Sequence, residues 1–240
     1  MKSLGLWWGT VEGAGIPELA GAARAAGFDQ ISVSPPLYFA ARASGATDAE
    51  LRRVLSDNGL SVAMLDPLIR GLPGSPLPEQ VARRFRATFE HGEVACFRAA
   101  ARGLEVWIEF MPDGGIPDLA TAYEILRTVG SPNLGLTIDT WHLFRTGIEV
   151  EELRRLPPGS IRALQVADAH ADLRGTGTKP PSADRLLPGA GATPLREIVA
   201  IALENHADVA IGVEVFDRAR LAQPPLERAQ AAARALRSVL

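Results

Sequence analysis

Four strand-like runs in this sequence carry apolar residues at one parity and end in a polar side chain at the other parity. Because side chains alternate across a strand, the apolar parity is expected to face covering helices and the polar parity to face inward. Three carboxylates and one amide would then converge on the axis of a barrel. The four polar residues are Glu109 in LEVWIEF, Asp139 in LGLTID, Gln165 in IRALQVAD and Glu214 in VAIGVEVF.

Short β-like runs alternate with helical patterns along the chain, which favours βαβ units and a parallel sheet. A helix is predicted over residues 17–26, with a proline at its start and Gly27 at its end. Thr47 and Glu50 have the spacing of a capping box that begins another helix. The 240 residues, 47% of them hydrophobic, suit a single β/α barrel domain over residues 1–240. Seven strands are predicted, near residues 4–8, 29–34, 60–66, 104–110, 134–139, 161–167 and 209–216.

An eighth strand is missing from this pattern. Between Asp66 and Leu104 the sequence contains a loop rich in proline and glycine and then a helical stretch over residues 79–102. Either residues 93–97 form a short strand, or one βα unit has been lost, and we favour the loss. An incomplete barrel exposes two strand edges, which the long helix, a loop or a second subunit would cover. A homodimer is therefore one of our expectations.

Composition and charge exclude several classes of partner. The net charge is −3 and the two lysines are Lys2 and Lys179, so there is no basic stripe to neutralise a nucleic-acid backbone. The single cysteine, Cys96, excludes an internal disulfide framework. Residues 1–30 contain neither a signal sequence nor an apolar run long enough to cross a bilayer. We therefore expect a cytoplasmic protein with no membrane partner.

Polar residues at the ends of four strands predict a site for one divalent metal ion. A lone glutamate at a strand end is more often solvated or paired with an arginine. Four such residues at the carboxyl ends of strands are a stronger indication, because β/α barrels carry their catalytic groups on that rim. Oxygen ligands without cysteine favour Mg²⁺ or Mn²⁺ over a structural zinc ion.

Other side chains near the predicted rim are candidates for contact with a small-molecule substrate. His142 follows Asp139 by three residues and could donate a hydrogen bond or carry a proton, although a loop histidine is often satisfied by backbone or water. The guanidinium of Arg185 could hold a carboxylate or phosphate, or it could anchor a loop. Trp7 and Trp141 are further candidates, although tryptophans near strand ends more often pack in the core or against a loop. His170, in a rim loop, has a weaker claim.

These segments resemble a known family. LEVWIEF, GLTIDTWHLFRTG, IRALQVADAH, RLLPGAGATPL and IGVEVFD look like the sugar isomerase/epimerase group of xylose isomerase-like TIM barrels. The resemblance covers the chain from about Leu104 onward and, more loosely, residues 1–66. It implies a barrel of that type, from which the strand count removes one βα unit here, with one Mn²⁺ or Mg²⁺ ion and with Co²⁺ or Zn²⁺ as alternatives. The metal ligands that it implies are Glu109, Asp139, Gln165 and Glu214.

The resemblance also implies catalytic roles. In epimerases of the family, the glutamates that correspond to Glu109 and Glu214 move protons on and off the carbon next to a carbonyl, while the metal ion holds the substrate oxygens as an enediolate forms. The residues that correspond to His142 and Arg185 usually touch the substrate.

Three departures from the family pattern affect what the chain is expected to do, and the largest is the missing βα unit, which removes part of the wall of the pocket. The loop at residues 188–192, PGAGA, lacks the acidic side chains that relatives usually carry there, and Gln165 stands where many relatives have histidine. Glutamine at this position occurs in some members that resemble 3-dehydroshikimate dehydratase. Three hypotheses stay open: a metal-dependent isomerase or epimerase of a small keto sugar or polyol, a metal-dependent dehydratase of a cyclic hydroxy-keto acid, and a non-catalytic barrel. The sequence favours the first.

Overall fold

The fold places seven parallel strands in one sheet. The computed structural model describes residues 2–66, 93–176 and 184–240. Over these ranges the strand order is β3-β2-β1-β7-β6-β5-β4, and the sheet curls into a half-barrel. Every predicted strand is confirmed within a few residues at each end. The strands are β1 Leu4–Leu6, β2 Gln30–Val33, β3 Ser61–Leu65, β4 Val106–Glu109, β5 Leu134–Asp139, β6 Ile161–Val166 and β7 Ala210–Val213.

Helices cover the strands, and their ends follow local sequence signals. The predicted helix that stops at Gly27 is confirmed, since this glycine has a left-handed backbone with a φ of 76°. The predicted capping box of Thr47 and Glu50 is also present, with both reciprocal hydrogen bonds. The helices are α1 Ile16–Ala26, α2 Pro35–Ala43, α3 Asp48–Asp57, α4 over residues 93–100, α5 Leu119–Val129, α6 Thr140–Thr146, α7 Leu195–Asn205 and α8 Pro225–Val239.

The structure decides part of the question of the eighth strand. Residues 93–100 are helical, so the alternative of a short strand over residues 93–97 is wrong. That stretch is rich in alanine, a strong helix former, and lacks the alternation of a half-buried strand. The predicted loss of a βα unit concerns residues 67–92, which lie outside the described residues. Among the strands described, β3 and β4 are the outermost.

The indole ring of Trp7 packs inside the half-barrel against Gly5 of β1 and Gly212 of β7. A Cβ atom on Gly212 would lie 2.0 Å from the ring of Trp7, and a Cβ atom on Gly5 would lie 2.2 Å from it. The indole Nε1 donates a hydrogen bond of 3.3 Å to the carbonyl oxygen of Leu164. These two strand positions therefore require glycine, and the polar strand ends lie above a packed layer rather than above a channel.

Within the described ranges, we find no helix that combines the length and the apolar character needed to cross a membrane.

Candidate metal centre

The four predicted ligands lie at the same rim of the sheet. Glu109 is the last residue of β4, Asp139 is the last residue of β5, Gln165 lies in β6 and Glu214 directly follows β7. Asp139 and Gln165 are paired in the register of β5 and β6. Both are 1% exposed and Glu214 is 4% exposed, whereas the side chain of Glu109 is 18% exposed. The predicted inward direction of these side chains agrees with this burial.

Arg185 lies between two of these carboxylates. Its Nη1 is 2.7 Å from Oδ2 of Asp139 and 3.2 Å from Oε2 of Glu214. The other oxygen of Asp139, Oδ1, accepts hydrogen bonds from the backbone N–H groups of Trp141 and His142 and so caps α6. Oδ1 of Asp139 thus caps a helix, and Oδ2 is paired with the guanidinium of Arg185.

Burial raises the pKa of each of the three carboxyl groups, but the net shifts go in different directions because the neighbouring charges differ. Desolvation raises the pKa of Glu109 well above its ordinary value, and the negative charges of Asp139 and Asp66 raise it further. The pKa of Glu214 is also well above its ordinary value because of burial, although Arg185 opposes the shift. For Asp139, burial raises the pKa, but Arg185, His142 and the hydrogen bonds outweigh it and lower the pKa. The pKa of Asp139 therefore lies below its ordinary value, whereas the pKa values of Glu109 and Glu214 lie well above theirs.

A second group at this rim includes His142. Glu109, Asp139 and His142 offer ligand atoms that all lie within 4.8 Å of one another, a spacing that could hold a metal ion. His142 Nε2 is 3.7 Å from Oε1 of Glu109 and 4.0 Å from Oδ2 of Asp139. His142 thus lies on the same side of the rim as the predicted ligands.

Arg145 determines which nitrogen of His142 carries the proton. Its Nη1 lies 3.4 Å from His142 Nδ1, and a guanidinium can only donate, so Nδ1 accepts and Nε2 carries the hydrogen in the neutral ring. Burial lowers the pKa of His142 to about 4, so the ring is neutral near pH 7. In this tautomer Nε2–H lies near Glu109 and Asp139 but beyond hydrogen-bond distance of both, and coordination of a metal ion by Nε2 would require the other tautomer.

The remaining predicted substrate contacts lie in different environments. Trp141 is 1% exposed, and the guanidinium carbons of Arg145 and Arg185 lie 4.4 and 4.9 Å from its ring centroid. Trp7 is buried in the layer below the rim, and His170 is exposed on the surface. The packing roles of the two tryptophans are therefore evident, while contacts of Trp7, Trp141 and His170 with a substrate stay predictions.

Asp66 is a site residue that the sequence analysis missed. It directly follows β3, is 9% exposed and accepts a hydrogen bond of 3.0 Å from Gln165 Nε2 at its Oδ2. Burial raises its pKa, and a hydrogen bond with Glu214 opposes the shift. The signal was available, because Asp66 stands at a predicted strand end as the four predicted ligands do.

Asp168 organises the loop that departs from the family pattern. Its Oδ2 accepts hydrogen bonds from the backbone N–H groups of Gly189 and Gly191, and its Oδ1 accepts from that of Thr193. A Cβ atom on Gly191 would lie 2.6 Å from Asp168 Oδ1, so only glycine fits there. Asp168 also pairs with Leu186, the residue after Arg185, in an antiparallel bridge. Asp168 thus fixes the loop at residues 188–192, which has no acidic side chain and lies just after Arg185.

The side chains at this rim fit a divalent metal ion. The Oε1 atom of Gln165 is buried and has no hydrogen-bond partner among the residues that the structure describes. A buried amide oxygen without a partner is costly, and a metal ion would satisfy it. Among the described acidic, histidine and cysteine side chains, those that offer ligand atoms within 4.8 Å of one another are Glu109, Asp139 and His142. Coordination of one ion by Glu109, Asp139, Gln165 and Glu214, an all-oxygen set of the kind that Mg²⁺ and Mn²⁺ prefer, stays a prediction.

Comparison with known proteins identifies the family. Residues 71–239 match the family described as xylose isomerase-like TIM barrel. The chain belongs to this family. The resemblance inferred from the strand-end motifs and the β/α barrel class are therefore confirmed.

Individual relatives are distant. An inosose isomerase of Halalkalibacterium halodurans is 31% identical over 116 residues, which amount to 48% of this chain and 40% of that protein, so the chain matches less than half of its length. Among solved structures, a xylose isomerase-like TIM barrel/4-hydroxyphenylpyruvate dioxygenase fusion protein has a TM-score of 0.81 at 18% identity, covering 100% of this chain and 43% of that one. The IOLI protein with a bound zinc atom has a TM-score of 0.70 at 18% identity, covering 100% and 98%. These structures share the fold.

Proposed function

We propose that this chain is a divalent-metal-dependent isomerase or epimerase of a small keto sugar or polyol. The observation that supports the proposal is the pair of buried glutamates with raised pKa values, Glu109 and Glu214, at a rim where Glu109, Asp139 and His142 offer ligand atoms within 4.8 Å of one another. A general acid or base works best when its pKa lies nearer to the working pH than that of an ordinary carboxyl group. The inosose isomerase relative gives independent support for isomerase chemistry.

The strand order supports a division of labour between the two glutamates. In the order β7-β6-β5-β4, Glu214 and Glu109 belong to the outer strands, and Asp139 and Gln165 lie between them. One glutamate, as carboxylate, removes a proton from the carbon next to the substrate carbonyl, and the other, as acid, returns a proton. The bound ion would supply Lewis-acid stabilisation of negative charge on the substrate oxygens.

Two further side chains support the proton transfer. His142 in the tautomer set by Arg145 presents Nε2–H, which suits a hydrogen bond to a substrate oxygen. Arg185 keeps Asp139 ionised and partly balances the negative charge of the site. Nη1 of Arg185 already contacts both Asp139 and Glu214, which favours this balancing role over capture of a substrate carboxylate.

One observation keeps a second candidate function open. Glutamine at position 165 is the feature that the chain shares with some members that resemble 3-dehydroshikimate dehydratase, so dehydration of a cyclic hydroxy-keto acid is the alternative. A dehydratase forms a conjugated enone or an aromatic ring, whose ultraviolet absorbance rises during turnover. An isomerase or epimerase forms neither.

The test is turnover in deuterated water with Mn²⁺ and a panel of keto sugars, inososes and cyclic keto acids. We expect one solvent deuterium at the carbon next to the carbonyl, detected by mass spectrometry and proton NMR, without a rise in absorbance. A rise in absorbance would replace the isomerase with the dehydratase. A lack of exchange and of turnover across the panel, in protein that has bound Mn²⁺, would favour the non-catalytic barrel.

A further inference from the structure

The contact between Asp66 and Gln165 connects β3 with β6 across the inside of the half-barrel. Gln165 Nε2 and Asp66 Oδ2 are 3.0 Å apart, and the two residues are 1% and 9% exposed. A hydrogen bond in such a buried setting is short of competing water and fixes the groups that it joins.

The chemistry of the two groups determines the direction of the amide. A glutamine amide has an oxygen end that accepts and a nitrogen end that donates, with nearly the same shape. The carboxylate of Asp66 accepts, so it selects the nitrogen end. The oxygen end is then left free of hydrogen bonds to the described residues. Without Asp66, the amide could turn and present a donor to the site, which repels a cation.

We infer that Asp66 is a positioning residue that holds the amide of Gln165 by its nitrogen, so that the oxygen serves as the neutral ligand of the divalent ion. This role rests on the proposed function. It also gives a reason for glutamine at position 165, where many relatives have histidine. An acidic residue at the end of β3 and an amide on β6 work as a pair, whereas an imidazole ring would need a partner in a different geometry.

Two other roles for Asp66 make different predictions. As a direct ligand, or as a mere negative charge near the ion, Asp66 would strengthen cation binding whatever residue occupies position 165. As a positioning residue, it acts through Gln165, so its effect disappears when the amide is removed, whereas an effect through its hydrogen bond with Glu214 would persist. A double-mutant cycle separates these cases.

The experiment is a calorimetric titration with Mn²⁺ of the metal-free full chain and of four variants: Asp66→Ala, Asp66→Asn, Gln165→Ala and the double variant Asp66→Ala/Gln165→Ala. We expect Asp66→Ala to weaken Mn²⁺ binding roughly 10- to 100-fold, the usual effect of losing a partner of a metal ligand. Asp66→Asn removes the charge but keeps an acceptor oxygen, so it should retain most of the affinity. In the Gln165→Ala background, Asp66→Ala should cause no further loss.

Several results would overturn the inference. Equal losses for Asp66→Asn and Asp66→Ala, or the same loss with and without Gln165, would make Asp66 a ligand or a bulk charge. Unchanged affinity of Asp66→Ala, with Mn²⁺ binding by the unmodified chain, would remove the positioning role and leave the proposed function intact. Absence of Mn²⁺ binding by the unmodified chain would reject both. Circular dichroism and thermal melting without metal check that each variant is folded, and Asp66→Asn supplies the comparison with Gln165→Ala if Asp66→Ala does not fold.

Discussion

The two halves of the barrel rim use polar side chains for different purposes. At the ends of β1 and β2, Ser32 accepts a hydrogen bond from the backbone of Trp8, and Ser34 caps α2 through the N–H of Leu37. Backbone N–H groups occupy both of these side chains. At the ends of β4 to β7, the carboxylates contact Arg185 or His142, although Asp139 also caps α6 through its other oxygen, and an amide oxygen is left over.

This difference shows what distinguishes a candidate site from ordinary loop chemistry. A polar residue at a strand end stabilises the turn when nearby N–H groups satisfy it. It becomes available to a ligand when the fold buries it beside a group of like charge, or leaves one of its lone pairs without a hydrogen bond. Asp66 connects the two halves, because it ends β3 in the first half and binds Gln165 in the second.

The largest expected effect comes from removing one of the two acid–base groups. Glu214→Gln should lower turnover by about 10²- to 10⁴-fold, because the amide can neither remove nor return a proton. The rate of deuterium exchange into the substrate measures this effect. Glu105→Gln is the matched control, since Glu105 precedes β4 and is exposed at the opposite end of the strands. Full activity of Glu214→Gln would refute the proposed mechanism.

A second large effect should follow from removal of the internal cation. Arg185→Met leaves Asp139 and Glu214 buried without their partner and should lower the free energy of unfolding of the metal-free protein by about 3–5 kcal/mol. Added Mn²⁺ should recover part of this loss, because it replaces the missing charge. Denaturant unfolding with and without Mn²⁺ measures both quantities.

An exposed ion pair serves as the control for that experiment. Arg174 and Glu149 are 2.8 Å apart, and both side chains are largely solvent-accessible. Arg174→Met should cost at most about 1 kcal/mol and should not respond to Mn²⁺. Equal losses for the two arginine variants would contradict the special role of Arg185.

Metal binding should stabilise the chain measurably. At Mn²⁺ concentrations of about 100 times Kd, the free energy of unfolding should rise by about 2.7 kcal/mol, and EDTA should abolish the gain. Thermal melting in Mn²⁺ and in EDTA detects the difference. In Asp139→Asn the two curves should coincide. A melting temperature that is independent of Mn²⁺ in the unmodified chain would favour the non-catalytic barrel.

The raised pKa of Glu109 predicts a pH dependence of stability in EDTA. Since burial raises the pKa in the folded state above the ordinary value of 4.5, the folded chain holds this proton longer than the unfolded chain does. The contribution to stability is complete below pH 4.5 and is lost as the pH rises through the folded-state pKa. Glu109→Gln should therefore gain stability relative to the unmodified chain as the pH rises from 5 to 8. A constant difference between the two would contradict the shift.

The smallest expected effects distinguish two histidines. His170 is exposed, and His170→Ala should leave Mn²⁺ affinity unchanged and, if His170 contacts the substrate, should raise KM only. His142→Ala should lower kcat through loss of the Nε2–H donor, with little change in Mn²⁺ affinity. Steady-state kinetics and titration measure the two quantities. A large loss of Mn²⁺ affinity in His142→Ala would make His142 a ligand in the other tautomer.

Much of the fold could be predicted from the sequence, because alternating patterns and helix termini are local signals. The seven strands and the Thr47 capping box are examples. Position on the rim was equally predictable for Glu109, Asp139, Gln165 and Glu214, since strand parity and the common carboxyl end determine it.

Contacts between distant segments could not be predicted in this way. The tautomer of His142 depends on Arg145, and the direction of the Gln165 amide depends on Asp66, 99 residues away. The pairing of Arg185 with two carboxylates likewise depends on a loop that Asp168 holds. Parity indicates which face a side chain occupies, but not which partner it meets there.

The most direct test of the central claim is a crystal structure of the chain with Mn²⁺, with anomalous data collected at the manganese absorption edge. We expect one anomalous peak within coordination distance of oxygen atoms of Glu109, Asp139, Gln165 and Glu214. A structure at saturating Mn²⁺ with no peak at this rim, and with the Arg185 guanidinium still on both carboxylates, would contradict the claim that these four side chains bind one divalent ion.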